Sequence, residues 1–200
     1  RSTLFPYTTL FRSRSSGAAS LEKAETVVEG FYNYAAKAGA DTQKAAHALE
    51  YSMVQALQRG YLDWGNAKEL NRQSLLTKDF KEQLLQTAVE LGTVTKEGDK
   101  YYAMSKKTKK QKKIEINTTN LFNDSLQHQW ATTKVLNATL AKYADTNTEF
   151  GAQAYAAAQR CTTFTDALNA WKDMLSTGWM ETYRTVFGDL TEAMSLFSAI

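Results

Sequence analysis

Apolar residues recur along this chain at helical spacing, in segments that glycine or short polar runs separate. The clearest case is the C-terminal part, residues 162–200, where three apolar stripes follow one another. Side chains at i, i+4 and i+7 share one face of a helix, so the pattern predicts three successive helices. Asp189 and Glu192 are placed to cap the last of them. Gly178 and Gly188 separate the stripes, whose members are Phe164, Leu168, Trp171 and Leu175; Trp179, Tyr183, Val186 and Phe187; and Leu190, Met194 and Phe197.

The same arrangement recurs upstream: a Ser, Thr or Asp cap, one amphipathic helix, and then glycine or polar residues. It predicts a helix from Leu21 to Gly39 and a second from Asp41 or Thr42 to Gly60. Tyr61 to Trp64 is predicted to be a turn. We expect the four tryptophans to be core residues of one helical domain, since each ring can bury a large area. Further helices are predicted around residues 66–73, 77–92, 117–130, 132–143 and 148–160.

Residues 93–116 depart from the helical pattern. Two β-rich runs, residues 93–95 and 101–104, flank Glu97 and Gly98, which is typical of a hairpin with a glycine-containing turn. Residues 114–116 alternate between apolar and polar and predict a third strand. The expected fold class is therefore mainly α, a multi-helix domain with a small β-hairpin insertion around residues 93–116.

Lysines are concentrated in this insertion. Residues 106–113, which we call the lysine loop, contain six of them: Lys106, Lys107, Lys109, Lys110, Lys112 and Lys113. From Lys96 to Lys113 eight lysines face two acidic residues, a local charge of +6. Lysines beside Tyr101 and Tyr102 can serve the phosphates and bases of a nucleic acid. A solvated loop that discourages strand pairing at the sheet edge is the interpretation we favour.

The N-terminus is set apart by its sequence. Residues 3–13, TLFPYTTLFRS, resemble the translation of a sequencing-library adapter, so residues 1–20 are interpreted as a scar and a flexible lead-in. Residues 21–200 are then one helical domain, expected to be a fragment open at both ends. Arg1 and Arg12 belong to the scar, and without them the net charge falls from +3 to +1. Everything outside residues 96–113 then carries −5, so general basicity does not favour a nucleic-acid partner.

Catalytic and metal-binding patterns are weak. His47, His128 and Cys161 lack the paired spacing of metal ligands, and a nucleophilic pair of Cys161 with His128 competes with a buried thiol beside an alanine-rich helix. Glu25 with Glu29, and Glu90 with Glu97, are acids for which a solvated helix face is the simpler interpretation. No cofactor motif is present, and no run approaches the length of a membrane span. One cysteine excludes an internal disulfide.

Spaced motifs resemble those of phage tail tape measure proteins, over about residues 39–200. The C-terminal block resembles that family's S-G-W-x-x-T-W-x-x-I-F-G-D-F-x-E-A, with Tyr183 where the family has tryptophan, and Thr163-Phe164 resembles the K-T-F before it. Its members here are Ser176, Gly178, Trp179, Thr182, Val186, Phe187, Gly188, Asp189, Leu190, Glu192 and Ala193. A second block resembles F-R-D-S-L, W-L-T and V-L-x-x-T-L-x-x-Y-A-D; its members are residues 122–126, Trp130, Thr133, Val135, Leu136, Thr139, Leu140 and residues 143–145.

The resemblance implies a non-enzymatic structural protein of a tailed phage or prophage that sets tail length and scaffolds assembly of the tail tube. Its expected partners are tail tube and tail assembly proteins and further copies of itself, with no cofactor, small-molecule substrate, nucleic acid or membrane contact. Its expected location is the virion tail, and the bacterial cytoplasm during assembly. Two alternatives stay open: a nucleic-acid-binding helical module that uses the lysine loop, and a non-catalytic part of a tail-associated wall hydrolase.

Overall fold

The computed structural model describes residues 14–105, 112–116, 122–161, 163, 165–169 and 173. In that part of the chain, eight α-helices surround one core and a single three-stranded antiparallel sheet lies at the side. The predicted fold class, mainly α with a β insertion at residues 93–116, is confirmed. The elements are α1 (Arg14–Lys37), α2 (Thr42–Ala48), α3 (Val54–Arg59), α4 (Trp64–Arg72), α5 (Lys78–Glu90), β1 (Val94–Glu97), β2 (Lys100–Met104), β3 (Lys113–Ile116), α6 (Phe122–Ser125), α7 (Thr133–Ala144) and α8 (Glu149–Gln159).

The predicted caps explain why most helices begin and end where they do. The side chains of Asp41, Thr77, Thr132 and Thr148 each accept a hydrogen bond from a backbone N–H in the first turn of α2, α5, α7 and α8. Glycines with positive φ follow α1, α3 and α5, a conformation that costs glycine little. One π-helical segment, Leu49–Met53, joins α2 to α3, so the predicted second helix carries a local distortion.

Three expectations need correction. Helix α1 begins at Arg14, so residues 14–20 belong to a helix and not to a flexible lead-in. Trp64 is not a turn residue in the core: it is the first residue of α4 and is 43% exposed, with the ammonium of Lys68 lying 5.1 Å from its ring centroid. Cys161 is half-buried at the edge of the core and not fully enclosed.

The C-terminal stripes fall almost entirely outside the described residues. Leu168 is the one member of the three stripes that the structure describes, and it packs half-buried against the core. The remaining stripe residues, including Trp171 and Trp179, and the motif block of residues 176–193 lie outside the described part. The prediction of three successive helices there stays a prediction.

Helix α1 packs against α7 and α8, and α5 also packs against α7. Aromatic rings fill the junction. The ring of Tyr34 on α1 lies 4.7 Å from that of Phe80 on α5 and 4.9 Å from that of Tyr143 on α7. Phe150 on α8 closes the cluster, with its ring 4.2 Å from that of Tyr143. Four helices therefore meet around one aromatic core.

Two consecutive hydrogen bonds stabilise the turn before α7. The indole N–H of the buried Trp130 donates to Ser125 Oγ at 3.1 Å, and Ser125 Oγ donates to the Phe122 carbonyl oxygen at 2.6 Å. The rings of Phe122 and Trp130 pack edge to face at 5.8 Å. Burying this tryptophan therefore leaves its one donor satisfied, as a buried indole requires.

Two buried threonines on α7 differ in hydrogen bonding, which gives a matched test. Thr139 Oγ1 donates to the Val135 carbonyl oxygen at 2.8 Å, whereas Thr133 Oγ1 is enclosed and has no hydrogen-bond partner among the described residues. We expect Thr133→Val to raise the free energy of unfolding by about 1 kcal/mol, because an unsatisfied buried hydroxyl is removed. Thr139→Val is expected to lower it by about 1 kcal/mol, because a formed hydrogen bond is lost. Urea denaturation of both variants measures the difference, and equal losses of stability would contradict it.

Candidate functional site

The sheet that carries the lysine loop has two different faces. Register pairs Val94 with Ala103 and Ala103 with Ile114, and this row lies on the side that packs against the helices. Because side chains alternate along a strand, the neighbouring rows point to solvent. We call these seven residues the outer face: Thr95, Glu97, Lys100, Tyr102, Met104, Lys113 and Glu115.

A backbone hydrogen bond connects the two chain segments between which the lysine loop leaves the sheet. The backbone N–H of Ser105 donates to the Lys112 carbonyl oxygen at 2.9 Å, which joins the two ends of the loop. The buried Ser105 Oγ is also 2.8 Å from His128 Nδ1, so the junction is tied to the turn before α7. Of the six candidate lysines, the structure places Lys112 and Lys113. Lys106, Lys107, Lys109 and Lys110 lie outside the described residues.

Two ion pairs cross the outer face. Lys113 Nζ on β3 lies 2.5 Å from Glu97 Oε1 on β1, and it sits 4.3 Å from the ring centroid of Tyr102 on the strand between them. Lys100 Nζ lies 3.2 Å from Glu115 Oε2, and the Glu115 carboxylate raises the pKa of the Lys100 ammonium. Exposed pairs of this kind contribute little to stability. Their effect is on charge, because each of these lysines already faces a carboxylate.

Sequence reasoning missed both carboxylates as partners of the lysines. Opposite charges on neighbouring strands are a usable signal, since cross-strand neighbours interact directly. Applying it needs the register of three strands, and a shift of one residue would place Glu97 and Glu115 on the opposite face. The lysine-rich sequence therefore overstates the cationic character of the described sheet.

The other candidate residues stand apart from one another. His47 Nδ1 lies 3.7 Å from Glu69 on α4, and its ring stacks 5.8 Å from the exposed ring of Tyr51. The Cys161 Sγ lies 3.1 Å from Thr163 Oγ1. No cluster of three metal-ligating side chains occurs within the described residues. His47, His128 and Cys161 thus have different immediate neighbours.

Of the carboxylate pairs considered from sequence, one is divided between two elements and the other lies on one helix. Glu90 at the end of α5 binds Lys142 on α7 at 2.6 Å, while Glu97 belongs to the outer face. Glu25 and Glu29 lie one turn apart on α1, and both are half-buried. Glu90 and Glu97 therefore have different lysine partners, on α7 and on β3.

Among the helices that the structure describes, none combines the length and the apolar character needed to cross a membrane. Comparison of the whole chain with protein-family models, with curated proteins and with solved structures finds no match.

Proposed function

We propose that this chain is the globular, N-terminal part of a phage tail tape measure protein, and that it anchors a long helical rod at one end of the tail. The observation that carries the proposal is the position of the second motif block. Its apolar members are buried in the fold: Phe122, Leu126, Trp130, Val135, Leu136, Leu140 and Tyr143. The spaced residues that resemble the family thus coincide with the packing of α6 and α7.

Hydrogen bonds also account for three polar members of that block. Ser125 accepts from the indole of Trp130, Thr139 bonds back to α7, and the carbonyl oxygen of Asp145 accepts from Thr148 at the start of α8. The motif block therefore contains both the buried apolar residues of α6 and α7 and residues whose hydrogen bonds connect the adjoining turns. This supports the interpretation of the resemblance as a shared fold rather than a chance run of apolar residues.

A protein that sets tail length needs a rod of fixed length and a point of attachment, and it needs no catalysis. A helix advances about 1.5 Å per residue, so the span of a rod follows from its residue count. The described part of this chain folds back on itself, with α1, α5, α7 and α8 side by side, and so it measures little distance. We assign it to the anchor, and the rod to residues beyond this block.

Deletion in the phage or prophage that encodes this chain tests the proposal. Removing residues 21–200 in frame is expected to abolish tails or make their length irregular in negative-stain electron microscopy, because the rod loses its attachment. Removing about 100 residues of a downstream helical rod is expected to shorten every tail by about 150 Å. Restoring the deleted frame in trans is the control, and normal full-length tails without residues 21–200 would contradict the anchoring role.

A further inference from the structure

A groove of about 500 Å³ opens between α5 and the inner side of the hairpin. The row formed by Val94 and Ala103 is buried against the core, whereas Lys96 and Tyr101, the next pair toward the hairpin turn, line the groove opposite α5. The space left between them has the size of sites that take a small ligand or a few side chains.

The walls of this groove differ in chemistry. Leu85 and Val89 on α5 give an apolar floor, and the half-buried ring of Tyr101 faces them from β2. Gln83 and Gln86 line the same side, and each amide both donates and accepts hydrogen bonds. An apolar floor beside such amides fits a peptide segment, whose side chains pack while its main chain is hydrogen-bonded.

Charge decides which kind of peptide fits. Lys96 lines the groove with its ammonium 5.5 Å from the ring centroid of Tyr101, and no described carboxylate lies within ion-pair distance of it. Lys100 and Lys113 on the same sheet are both neutralised by glutamates. The one acid of the groove, Glu82, lies 3.7 Å from Lys78. The groove therefore presents one cation that has not been matched.

We propose that this groove binds an acidic peptide segment of a partner protein, with a carboxylate on Lys96 and an adjacent aliphatic side chain on Leu85, Val89 and Tyr101. This inference does not rest on a role in the phage tail. A nucleic acid fits the groove less well, because a single unmatched ammonium gives little counterion release.

Fluorescence anisotropy with defined probes tests the proposal. The probes are a fluorescein-labelled peptide of alternating leucine and glutamate, the same peptide with glutamine for glutamate, and a labelled oligothymidine. We expect saturable binding of the glutamate peptide, and affinity about tenfold lower for the glutamine peptide or for the Lys96→Gln variant, since a charge-assisted contact is lost. Lys100→Gln is the matched control on the outer face and is expected to leave the affinity unchanged.

The NMR chemical shifts of the backbone amides in isotope-labelled protein locate the site. The shifts of α5, β1 and β2 are expected to change when the glutamate peptide binds. Four results would overturn the proposal: no saturable binding of the glutamate peptide below about 1 mM, equal affinity for both peptides, equal losses for Lys96→Gln and Lys100→Gln, or preference for the oligothymidine. Circular dichroism of each variant separates a lost contact from a lost fold. None of these measurements depends on tail length, so failure here and failure of the anchoring role are distinguishable.

Discussion

Replacing Gly30 with alanine is expected to lower the free energy of unfolding by about 3 kcal/mol or more, one of the largest effects of a single methyl group in this fold. A Cβ at residue 30 would overlap the carbonyl oxygen of Leu140 and lie 2.7 Å from its carbonyl carbon. The Ala144 nitrogen would be 3.4 Å away. These are backbone atoms of α7, which cannot rotate aside as the end of a side chain can.

Relief of that overlap requires α1 and α7 to separate, and the surrounding contacts resist this. Asn33, one turn after Gly30, donates from Nδ2 to the Tyr143 carbonyl oxygen at 3.2 Å. The rings of Tyr34 and Tyr143, tilted by 54° and 4.9 Å apart, join the same two helices. Moving the helices apart would therefore weaken a buried hydrogen bond and the aromatic core together, which is why the expected loss exceeds the strain of one methyl group.

Gly65→Ala is the matched control. Gly65 is also helical, but the nearest atom to a new Cβ is a side-chain oxygen, Oδ1 of Asp63 at 3.3 Å, and not a backbone atom of another helix. Because alanine is the better helix former by up to about 1 kcal/mol, this variant is expected to be as stable as the parent or more so. Thermal or urea unfolding compares the two. Equal stability of Gly30→Ala and Gly65→Ala would show that α1 and α7 are not packed as closely as described.

Local features of this fold are predictable from sequence because they depend on few neighbours. A cap needs one oxygen at a fixed distance from the helix start, and Asp41, Thr77, Thr132 and Thr148 meet that condition. Helical spacing likewise identifies the buried faces of α5 and α7 before the structure is known. Both signals lie within a few residues of the element that they define.

Features that depend on which distant element packs against a helix face are not predictable in the same way. Periodicity indicates that α7 has a buried side, but not that Gly30 of α1 lies against it, 110 residues away at the Leu140 carbonyl. Trp64 was wrongly expected in the core, because a large ring alone does not reveal that the buried side of α4 consists of Asn66, Ala67 and Leu70. Both the close approach at Gly30 and the exposure of Trp64 depend on which helices pack together.

The candidate site shows the same division. Six lysines in a short run are evident from sequence, but the neutralisation of Lys113 by Glu97 depends on three-strand register. The unmatched Lys96 is then the more specific feature, although it lies outside the run that draws attention. Counting charges along the sequence therefore locates a cationic region, but only the geometry of the sheet identifies which lysine has no carboxylate partner among the described residues.

Alkaline pH is expected to unfold this protein through two buried phenols, Tyr34 and Tyr143. The Tyr34 hydroxyl donates to the Leu75 carbonyl oxygen at 2.5 Å, and burial raises the pKa of Tyr34 to about 12. Burial and then the Asp79 carboxylate, whose Oδ2 is 3.4 Å from the Tyr143 hydroxyl, raise the pKa of Tyr143 further still. Both groups therefore stay protonated in the folded state where an unfolded chain ionises them.

The sign of the effect follows from proton binding. Above pH of about 10 the unfolded chain has lost protons that the folded state keeps, so the free energy of unfolding falls as pH rises. The stabilisation is complete below that pH, and the part from Tyr34 is lost as pH rises through about 12. Each phenol contributes a slope of about 1.4 kcal/mol per pH unit, or nearly 3 kcal/mol for the pair.

Tyr34→Phe separates this effect from general alkaline denaturation by lysines. The variant is expected to lose about 1 kcal/mol at neutral pH with its hydrogen bond, yet its stability should fall less steeply above pH 10 by about 1.4 kcal/mol per pH unit. Tyr155→Phe, at a position 39% exposed, should keep the parent slope. Urea denaturation at several alkaline pH values gives the slopes, and phenolate absorbance reports which tyrosines ionise only on unfolding. An unchanged slope in Tyr34→Phe would mean that this phenol titrates in the folded state as freely as an exposed one, so the enclosed aromatic junction of α1, α5 and α7 could not be as tightly packed as its ring distances require.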